Sequence, residues 1–337
     1  MEWVLAAETF AAEVLEPAAA EVDRTGRIPA THFDALAERG FYGFALSEGM
    51  RPDVLMETAA TIIGGCLATG FVWAQHLGAL RAVAFADNAA LRERYLEPMR
   101  AGKFRCGVSY AGARSNPTLF AAPAGSGYVL TGTAPFVTGW GYVDAVATSV
   151  RLRSEDAESI ATLLVPARDL DGVTAEPLPL IAADASATVR LSFGETFVER
   201  AQLIGVKSAG EFTASRGSLS DWVNGALSLG VLSRCVRQLA ELGAESAAHA
   251  ARYAHLRTRF AAAAGDNRAV HALRADIARA AVETAAAGVV AAGSPATIAG
   301  STPERLMRQA TFALVCTTRD PIKQALLTRL DPAPSPD

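Results

Sequence analysis

The N-terminal part of the chain has hydrophobic residues at helical spacing. Trp3, Phe10 and Val14 fall on one face of a helix until Pro17 interrupts the run. The same periodicity continues in further short segments, the last of which is AALRERYLEPMRA. Residues 1–103 are therefore predicted to form an N-terminal helical domain.

The middle of the chain has a different pattern. From residue 104 to about residue 206, short runs of β-branched and aromatic residues are separated by Gly, Pro, Asn and Asp. These runs are FRCGVSY, GYVLTG, DAVATSV, ATLLVPA, ATVRLSF and AQLIGV. Residues 104–206 are predicted to form a compact β domain, whose length of roughly a hundred residues is normal for one domain.

Helical spacing returns in the C-terminal part. Apolar side chains recur at steps of four residues in two long stretches, at Leu227, Val231, Cys235 and Leu239, and at Leu273, Ile277, Ala281, Ala285 and Val289. Pro303 is predicted to be the first residue of a later helix, and residues 319–330 form a last short one. Residues 207–331 are thus a predicted helical bundle, and the proline-rich tail 332–337 is predicted to be disordered.

Composition limits the classes of partner. Half of the 337 residues are hydrophobic and 20% are charged, which is typical of an ordered globular protein. A net charge of −4 without any Lys/Arg run argues against a nucleic-acid partner. The longest apolar stretch, around 280–292, is too short and too rich in alanine to span a bilayer, and the N-terminus lacks the basic region of a signal peptide.

Cysteine and histidine positions predict no metal site. The four cysteines are scattered without a Cys-x-x-Cys pair, and the five histidines have no ligand spacing. Scattered thiols suit a reducing compartment, so the expected location is cytoplasmic. No Gly-x-Gly-x-x-Gly or P-loop motif follows a predicted strand, which argues against a Rossmann or nucleoside triphosphate site.

Two hydroxyl-bearing turns of the β region are the candidate chemical site. SYAGARSN follows one predicted strand and TGTAPFVTGWG follows the next. A flat heteroaromatic ring such as isoalloxazine needs an apolar plane beside one face and donors aimed at its edge, and Ser109, Phe136 and Thr138 could supply these. By pattern alone, hydroxyls near strand ends more commonly form turns.

These segments resemble the acyl-CoA dehydrogenase family. SYAGARSN is similar to the family's Thr-Glu-Pro-Gly-Ala-Gly-Ser-Asp loop, and TGTAPFVTGWGYVDAV to its Asn-Gly-x-Lys-x-Trp-Ile-Thr-Asn strand and turn. Matches in the same order extend over nearly the whole chain: FDALAERGFYGFAL, LRERYLEPMRAGKF, ALSLGV, YAHLRTRF and PERLMR. The resemblance implies an α+β fold with an N-terminal helical domain, a central β-barrel domain and a C-terminal helical bundle.

The resemblance also implies ligands and the residues that hold them. Ser109 and Thr138 occupy positions whose hydroxyls bond the flavin ring of FAD, Thr138 near N5, and Phe136 stands where the family has a Trp against the flavin. Ser115 matches a serine near the phosphate-bearing end of the acyl-CoA thioester. Trp140, just past Thr138, could line the ligand cleft.

Further implied contacts involve neighbouring subunits and a redox partner. Arg257 and Phe260 match residues that reach FAD, commonly from a neighbouring subunit, and an arginine fork suits a pyrophosphate. The bundle is expected to mediate a homo- or hetero-oligomer with related subunits. Electrons would pass to an electron-acceptor flavoprotein. For Arg257 the alternative is a solvated helix arginine.

The proton-abstracting carboxylate of the family is missing. Its Tyr-Glu-Gly-Thr segment corresponds here to residues 315–318, and Cys316 takes the place of the Glu. A thiol at this position is most simply a core residue. Some relatives place the base at the start of the first long C-terminal helix, where Asp221 is the candidate, with a helix-capping role as its alternative. Asp320 is a further candidate, beside a turn or helix start.

Other departures concern the dinucleotide half of the FAD site. The Tyr-Gly-Gly-x-Gly loop of the family is absent, the glycine of its Phe-Gly pair is Ala261, and Arg268 stands near the expected Gln. Residues 278–303 are too few for the family's full helical hairpin. The C-terminal bundle is therefore expected to be contracted or altered.

Three functions remain open at this point. The first is an FAD-dependent oxidoreductase that acts on the α,β CH–CH bond of an acyl-CoA, with Asp221 as the base. The second is a non-catalytic partner subunit of a heteromeric acyl-CoA dehydrogenase, which the missing Glu and the altered dinucleotide motifs favour. The third is a flavin-dependent monooxygenase on the same fold, where no carboxylate base is needed.

Overall fold

The N-terminal part consists of helices, as predicted. The computed structural model describes residues 2–153, 159–215 and 219–331, and all their side chains except those of 214, 215 and 219–221. The helices are α1 (Glu2–Phe10), α2 (Glu16–Thr25), α3 (Ala30–Glu38), α4 (Pro52–Gly65), α5 (Leu67–Ala84) and α6 (Ala89–Arg100), with a π-helical turn at Ala11–Leu15.

Pro17 does not end the first helix, contrary to the sequence prediction. The backbone remains helical from α1 through the π-helical turn into α2, where Pro17 lies in the first turn. A proline lacks the N–H that an α-helix needs, and a π-helical turn just before it shifts the hydrogen-bond register. The helix therefore continues to Gly26, whose left-handed backbone (φ 64°) ends it.

The central part is one eight-stranded sheet. Its strands are β1 (Cys106–Ser109), β2 (Leu119–Ala124), β3 (Gly127–Val137), β4 (Ala145–Leu152), β5 (Ser159–Pro166), β6 (Val173–Pro177), β7 (Val189–Glu199) and β8 (Leu203–Ser208). The strand order is β6-β7-β3-β2-β4-β5-β8, and β1 pairs in parallel with β4. In the described residues β6 and β8 do not pair with each other, so the sheet curls around its apolar core without closing.

The sheet opens between β1 and β3. β2 pairs with the first half of β3 but with only two residues of β4, Arg151 and Leu152. β1 pairs with the start of β4 instead, so no ladder joins β1 to the second half of β3. This opening, which we call the β1–β3 seam, contains both hydroxyl-bearing turns of the sequence analysis.

The C-terminal part is a helical bundle. After the short α7 (Ala209–Ser215) come α8 (Leu219–Glu241), α9 (Ala247–Ala262), α10 (Asn267–Ala292), α11 (Thr302–Val315) and α12 (Asp320–Leu330). The apolar i+4 row of α8, from Leu227 to Leu239, is buried as its spacing predicted, and Pro303 lies in the first turn of α11. The predicted disorder of 332–337 concerns residues outside those that the structure describes.

Two glycines hold the N-terminal helices against the bundle. A Cβ at Gly64 of α4 would lie 2.9 Å from the carbonyl oxygen of Gly230 in α8, and a Cβ at Gly230 would lie 2.5 Å from the carbonyl oxygen of Ala60. Any side chain at these positions would push the helices apart. The close approach lets one apolar core run from α1 to α11.

Candidate functional site

The two strands that border the β1–β3 seam run antiparallel to each other. A Cβ at Gly107 would lie 3.1 Å from the carbonyl oxygen of Thr138, and one at Gly112 would lie 3.0 Å from that of Thr133. Moving five residues forward from Gly107 to Gly112 thus corresponds to moving five residues back from Thr138 to Thr133, as expected for antiparallel segments. Ser109 lies between the two contacts on its segment, Phe136 lies between them on β3, and Thr138 makes one of them, so all three residues border the seam.

Ser109 has a buried hydroxyl without a hydrogen-bond partner. The residue is 2% exposed, and no described atom lies within hydrogen-bond distance of its Oγ. Side chains alternate along β1: Cys106 and Val108 belong to the core under α5, so Gly107 and Ser109 face the opposite side. An unpartnered buried hydroxyl costs on the order of 1–3 kcal/mol, which points to a ligand atom as its partner.

Thr138 ends a chain of three buried hydroxyls. Its Oγ1 lies 3.0 Å from Oγ1 of Thr188, which lies 3.0 Å from Oγ of Ser186. The backbone of the same turn is tied to this loop, because Gly139 N–H donates to the carbonyl oxygen of Ser186 at 2.8 Å. A hydroxyl has one donor and two acceptor positions, so Thr138 is held in place and can still bond a ligand.

Two aromatic residues lie two positions before and two positions after Thr138 in the chain. The Phe136 side chain is 63% exposed, which is unusual for a phenylalanine and leaves its face available for stacking. Trp140 is partly buried against the core of the sheet. Ser115 is exposed, two residues after a short 3-10 turn at Ala111–Ala113. An accessible aromatic ring and two buried hydroxyls along one seam are groups that suit the ring system of a flavin.

The arginine that matches the family's dinucleotide contact pairs within this chain. Arg257 Nη1 donates to Oε1 of Glu57 in α4 at 2.5 Å, with both side chains more than a third exposed. Only Nη1 of this guanidinium bonds Glu57. The ion pair ties α9 to α4, and it would compete with a pyrophosphate for this arginine.

Phe260 is a core residue in this structure. Its ring is fully buried and stacks on Trp222 at 6.2 Å between centroids, and Trp222 Nε1 donates to the carbonyl oxygen of Phe260 at 2.8 Å. A ring enclosed by its own bundle has no surface for a cofactor of another subunit. The expected FAD contact of Phe260 therefore conflicts with its packing.

The position of the family's base holds a thiol that stays protonated. Cys316 follows the last residue of α11, and although the residue is only partly buried, burial of its thiol raises the pKa to about 12. Arg274 of α10 fixes the next residue by donating from Nη2 to Oγ1 of Thr317 at 2.7 Å. A thiol with this pKa is not a proton acceptor near neutral pH.

The structure describes the side chain of only one of the two carboxylate candidates for the base, Asp320 and Asp221. Asp320 is exposed in the first turn of α12, a place that favours an acidic residue because of the helix dipole. Asp221 belongs to the first turns of α8, but its side chain lies outside the described residues. The structure therefore leaves Asp221 as a prediction.

A loop that the sequence analysis missed supports the hydroxyl chain. Ala183 (φ 57°) and Ala187 (φ 48°) flank a 3-10 turn at Asp184–Ser186, and both have left-handed backbone conformations that are rare for alanine. Strained backbone of this kind is concentrated at functional sites. The segment ADASAT gives no motif or periodicity from which this conformation could be predicted.

The described part of the chain offers neither a cluster of metal ligands nor a helix suited to cross a membrane. Over residues 2–153, 159–215 and 219–331, His, Cys, Asp and Glu side chains form no group of three that could hold a metal ion. Across the same ranges, every helix is too short or too polar to cross a bilayer.

Comparison with known proteins gives the same overall picture. Residues 2–103 match the family model of the acyl-CoA dehydrogenase N-terminal domain. The fold is similar to that of butyryl-CoA dehydrogenase from Megasphaera elsdenii, with a TM-score of 0.85, 14% sequence identity, and coverage of 98% of this chain and 97% of that one. No curated protein sequence matches the chain significantly.

Two further solved structures are similar over their whole lengths. A probable acyl-CoA dehydrogenase from Mycobacterium abscessus has a TM-score of 0.84 and 20% identity, with 98% of both chains covered. A glutaryl-CoA dehydrogenase from Mycobacterium smegmatis in complex with FADH2 has a TM-score of 0.81 and 14% identity, with 98% of this chain and 93% of that one covered. At these identities the likeness shows the fold.

Proposed function

We propose that this chain, whose residues 2–103 match the family model of the acyl-CoA dehydrogenase N-terminal domain and whose fold is that of acyl-CoA dehydrogenases, binds FAD and oxidises the α,β CH–CH bond of an acyl-CoA thioester. The observation that carries the proposal is the β1–β3 seam. This seam is bordered by Ser109 with its partnerless hydroxyl, Thr138 with its fixed hydroxyl, and Phe136 with its exposed ring. The glutaryl-CoA dehydrogenase of similar fold is a complex with FADH2, which supports the same cofactor here.

Each residue of the seam has a distinct part in this proposal. Bound FAD would supply the acceptor for the hydride that leaves the β-carbon of the thioester. Ser109 and Thr138 hydrogen-bond the edge of the ring, and the Ser186–Thr188 pair keeps the Thr138 hydroxyl oriented. Phe136 covers one face of the ring and excludes water from it. Ser115 and Trp140 border the path by which the thioester would enter.

The α-proton requires a separate acceptor. The protonated thiol of Cys316 does not supply it. Asp221 is the proposed base, because it lies near the start of α8, where some relatives carry theirs. If Asp221 acts in this way, Asp221→Asn lowers kcat by a factor on the order of 100 or more without releasing FAD, since general-base catalysis contributes about that much.

Flavin content tests the proposal. The purified full-length chain is incubated with FAD, freed of excess, and denatured, and the flavin in the supernatant is measured against the protein concentration. We expect about one FAD per chain or per subunit pair. A colourless protein with no flavin in the supernatant would refute the cofactor and with it the oxidoreductase. Acyl-CoA-dependent reduction of an artificial electron acceptor then tests the reaction.

A second candidate is a non-catalytic partner subunit of a heteromeric acyl-CoA dehydrogenase. Three observations favour it: the protonated Cys316 thiol, the Arg257–Glu57 ion pair and the burial of Phe260. The Cys316 thiol removes the usual base, and the other two features alter residues that match contacts to the dinucleotide part of FAD. None of the three concerns the residues proposed to hold the flavin ring. Co-expression with a relative that has the usual Glu decides between the two, since turnover by this chain alone excludes the partner role.

Exposed apolar side chains support an oligomer. Val290 at the end of α10, Ile298 in the following loop and Val315 at the end of α11 are all more than 60% exposed. Isolated apolar residues are normal on a surface, but these three all lie between the end of α10 and the end of α11. We propose that this end meets another subunit, which light scattering of the purified chain can test. A monomer at micromolar concentration would contradict it.

A further inference from the structure

A second recess lies where the three parts of the chain meet. It is open to solvent, and the roughly 460 Å³ of space between its walls includes part of that solvent. Its walls come from α2, the α4–α5 junction, the loop 183–185, α8 and α11, and none of its lining residues belongs to the proposed flavin or thioester contacts. We call it the arginine cleft, after Arg234 and Arg305, which line it.

Arg305 is a buried cation with unused hydrogen-bond donors. The residue is 5% exposed, and its Nε and Nη1 are buried without any hydrogen-bond partner among the described atoms. Nearly all buried donors in proteins are paired, and buried arginines are paired with carboxylates or phosphates. The Nε–H and Nη1–H bonds point from different edges of the guanidinium, so an oxyanion beside Arg305 would accept from one of them and would not bridge both.

Arg234 adds a second cation to the same cleft. Its Nη1 is also buried without a partner, whereas its Nη2 donates to Oε1 of Gln238 at 3.2 Å and Oε2 of Glu241 at 3.1 Å. Burial is the main cause that lowers the pKa of Arg305, and repulsion by Arg234 lowers it further. An anion beside the two arginines would offset the repulsion that Arg305 experiences from Arg234.

The carboxylates of the cleft are engaged elsewhere. Asp23 receives two hydrogen bonds from Arg308, at 2.6 and 3.2 Å, and raises the pKa of Arg305 only through space. Glu16 pairs with Arg237 at 2.6 Å. Asp184 accepts the backbone N–H of Leu180 at 2.9 Å. None of them bonds the free donors of Arg305.

The N-terminus of α5 also favours a negative charge in the arginine cleft. Its first two residues, Leu67 and Ala68, line the cleft, and the positive end of an 18-residue helix favours an anion there. From the buried donors, the paired carboxylates and this helix start, we propose that the arginine cleft binds a small oxyanion, a carboxylate or a phosphate, held between Arg305 and Arg234. The proposal for this cleft does not rest on the proposed flavin or acyl-CoA binding.

Calorimetric titration of the full-length protein tests the site. Inorganic phosphate, sulfate and acetate are titrated separately, with sodium chloride at matched ionic strength as the reference. We expect saturable binding of at least one of the three, and a melting temperature that rises with its concentration. Whether phosphate or acetate binds more tightly distinguishes a phosphate ligand from a carboxylate ligand.

Variants assign the binding to the two arginines. Arg305→Met should weaken the oxyanion's affinity at least about tenfold, the equivalent of one lost charge-assisted hydrogen bond, and should raise the melting temperature without anion because it removes an unpartnered buried cation. Arg234→Gln should weaken binding as well, in case the first variant folds poorly. Arg279→Gln on α10 is the charge-matched control, since Arg279 pairs with Glu283 and does not line the cleft.

Two results would overturn the proposal. One is a protein that responds to phosphate, sulfate and acetate no more than to chloride, which would mean that the cleft holds only water. The other is an Arg305→Met variant that binds the anion as tightly as the parent protein. Loss of FAD binding with retained anion binding would refute the proposed function and leave the arginine cleft intact.

Discussion

The buried hydroxyl of Ser109 has no hydrogen-bond partner within the described protein, so its removal should affect stability and ligand binding differently. In most buried serines the hydroxyl stabilises the fold, as Ser149 does by bonding Oγ1 of Thr162 at 2.9 Å. For Ser109 the folded protein gains nothing from the hydroxyl until a ligand arrives. Stability and ligand binding should therefore respond in opposite directions when it is removed.

Ser109→Ala is expected to raise the free energy of unfolding of the FAD-free protein by about 1 kcal/mol, since an unsatisfied buried polar atom disappears. It should weaken FAD binding about tenfold, the equivalent of one hydrogen bond. Ser149→Ala is the matched control: it should lower the stability by about 1 kcal/mol and leave FAD affinity unchanged. Chemical denaturation and FAD titration measure the two quantities. Equal FAD affinity for Ser109→Ala and the parent would remove Ser109 from the site.

His76 gives the fold a pH dependence of known sign. Its Nδ1 accepts the N–H of Cys106 in β1 and its Nε2 lies 3.1 Å from the carbonyl oxygen of Met99, so the ring is neutral with the proton on Nε2. Burial lowers its pKa to about 3. The unfolded chain binds a proton near pH 6.5 and the folded protein does not, so stability from this group is present above that pH and lost as the pH falls towards 3.

We expect the free energy of unfolding to fall by about 1.4 kcal/mol per pH unit below roughly pH 6 from this residue alone. Because other groups titrate in the same range, the measurement compares the parent with His76→Gln between pH 4 and pH 8. The variant should be less stable at pH 8 and should show a shallower slope. Parallel curves for the two proteins would contradict the assignment.

At the scale of elements, two glycines in the middle of long helices have opposite surroundings. Gly230 of α8 has no space for a methyl group, because Ala60 O and Gly64 N lie within 3 Å of its Cβ position. Gly288 of α10 has nothing within 4 Å of that position. The first glycine is required by the contact between α4 and α8, and the second only lowers helix propensity.

Gly230→Ala is expected to destabilise the protein by about 2 kcal/mol or more, because overpacking must separate two helices. Gly288→Ala should stabilise it by up to about 1 kcal/mol, the difference in helix propensity between the two residues. Thermal or urea unfolding of both variants measures the pair. Stabilisation by both substitutions would mean that α4 and α8 are not in close contact in solution.

The elements also show what the sequence could predict. Hydrophobic spacing identified the helical ends, the strand-rich middle and Pro303 at a helix start, because each depends on local periodicity. The effect of Pro17 was predicted wrongly, since the π-helical turn just before it accommodates the proline within a continuous helix. The left-handed Ala183 and Ala187 had no local signal either, because tertiary contacts impose their conformation.

At the scale of the whole molecule, the seam and the arginine cleft share a wall. The loop from Ala183 to Thr188 lines the cleft at one end and orients Thr138 at the other. Sequence analysis proposed Ser109, Phe136 and Thr138 as one cofactor site, and in the structure all three border the β1–β3 seam, while their binding of a cofactor stays a prediction. It did not find the cleft, whose residues come from five separate segments and form no motif.

The structure of the FAD complex tests the central claim most directly. We predict that one isoalloxazine ring lies in the β1–β3 seam, with Oγ of Ser109 and Oγ1 of Thr138 both within about 3.2 Å of its edge atoms and Phe136 against its face. A crystal of the complex in which the flavin binds elsewhere, or in which Ser109 Oγ bonds only water while the flavin is present, would contradict the account.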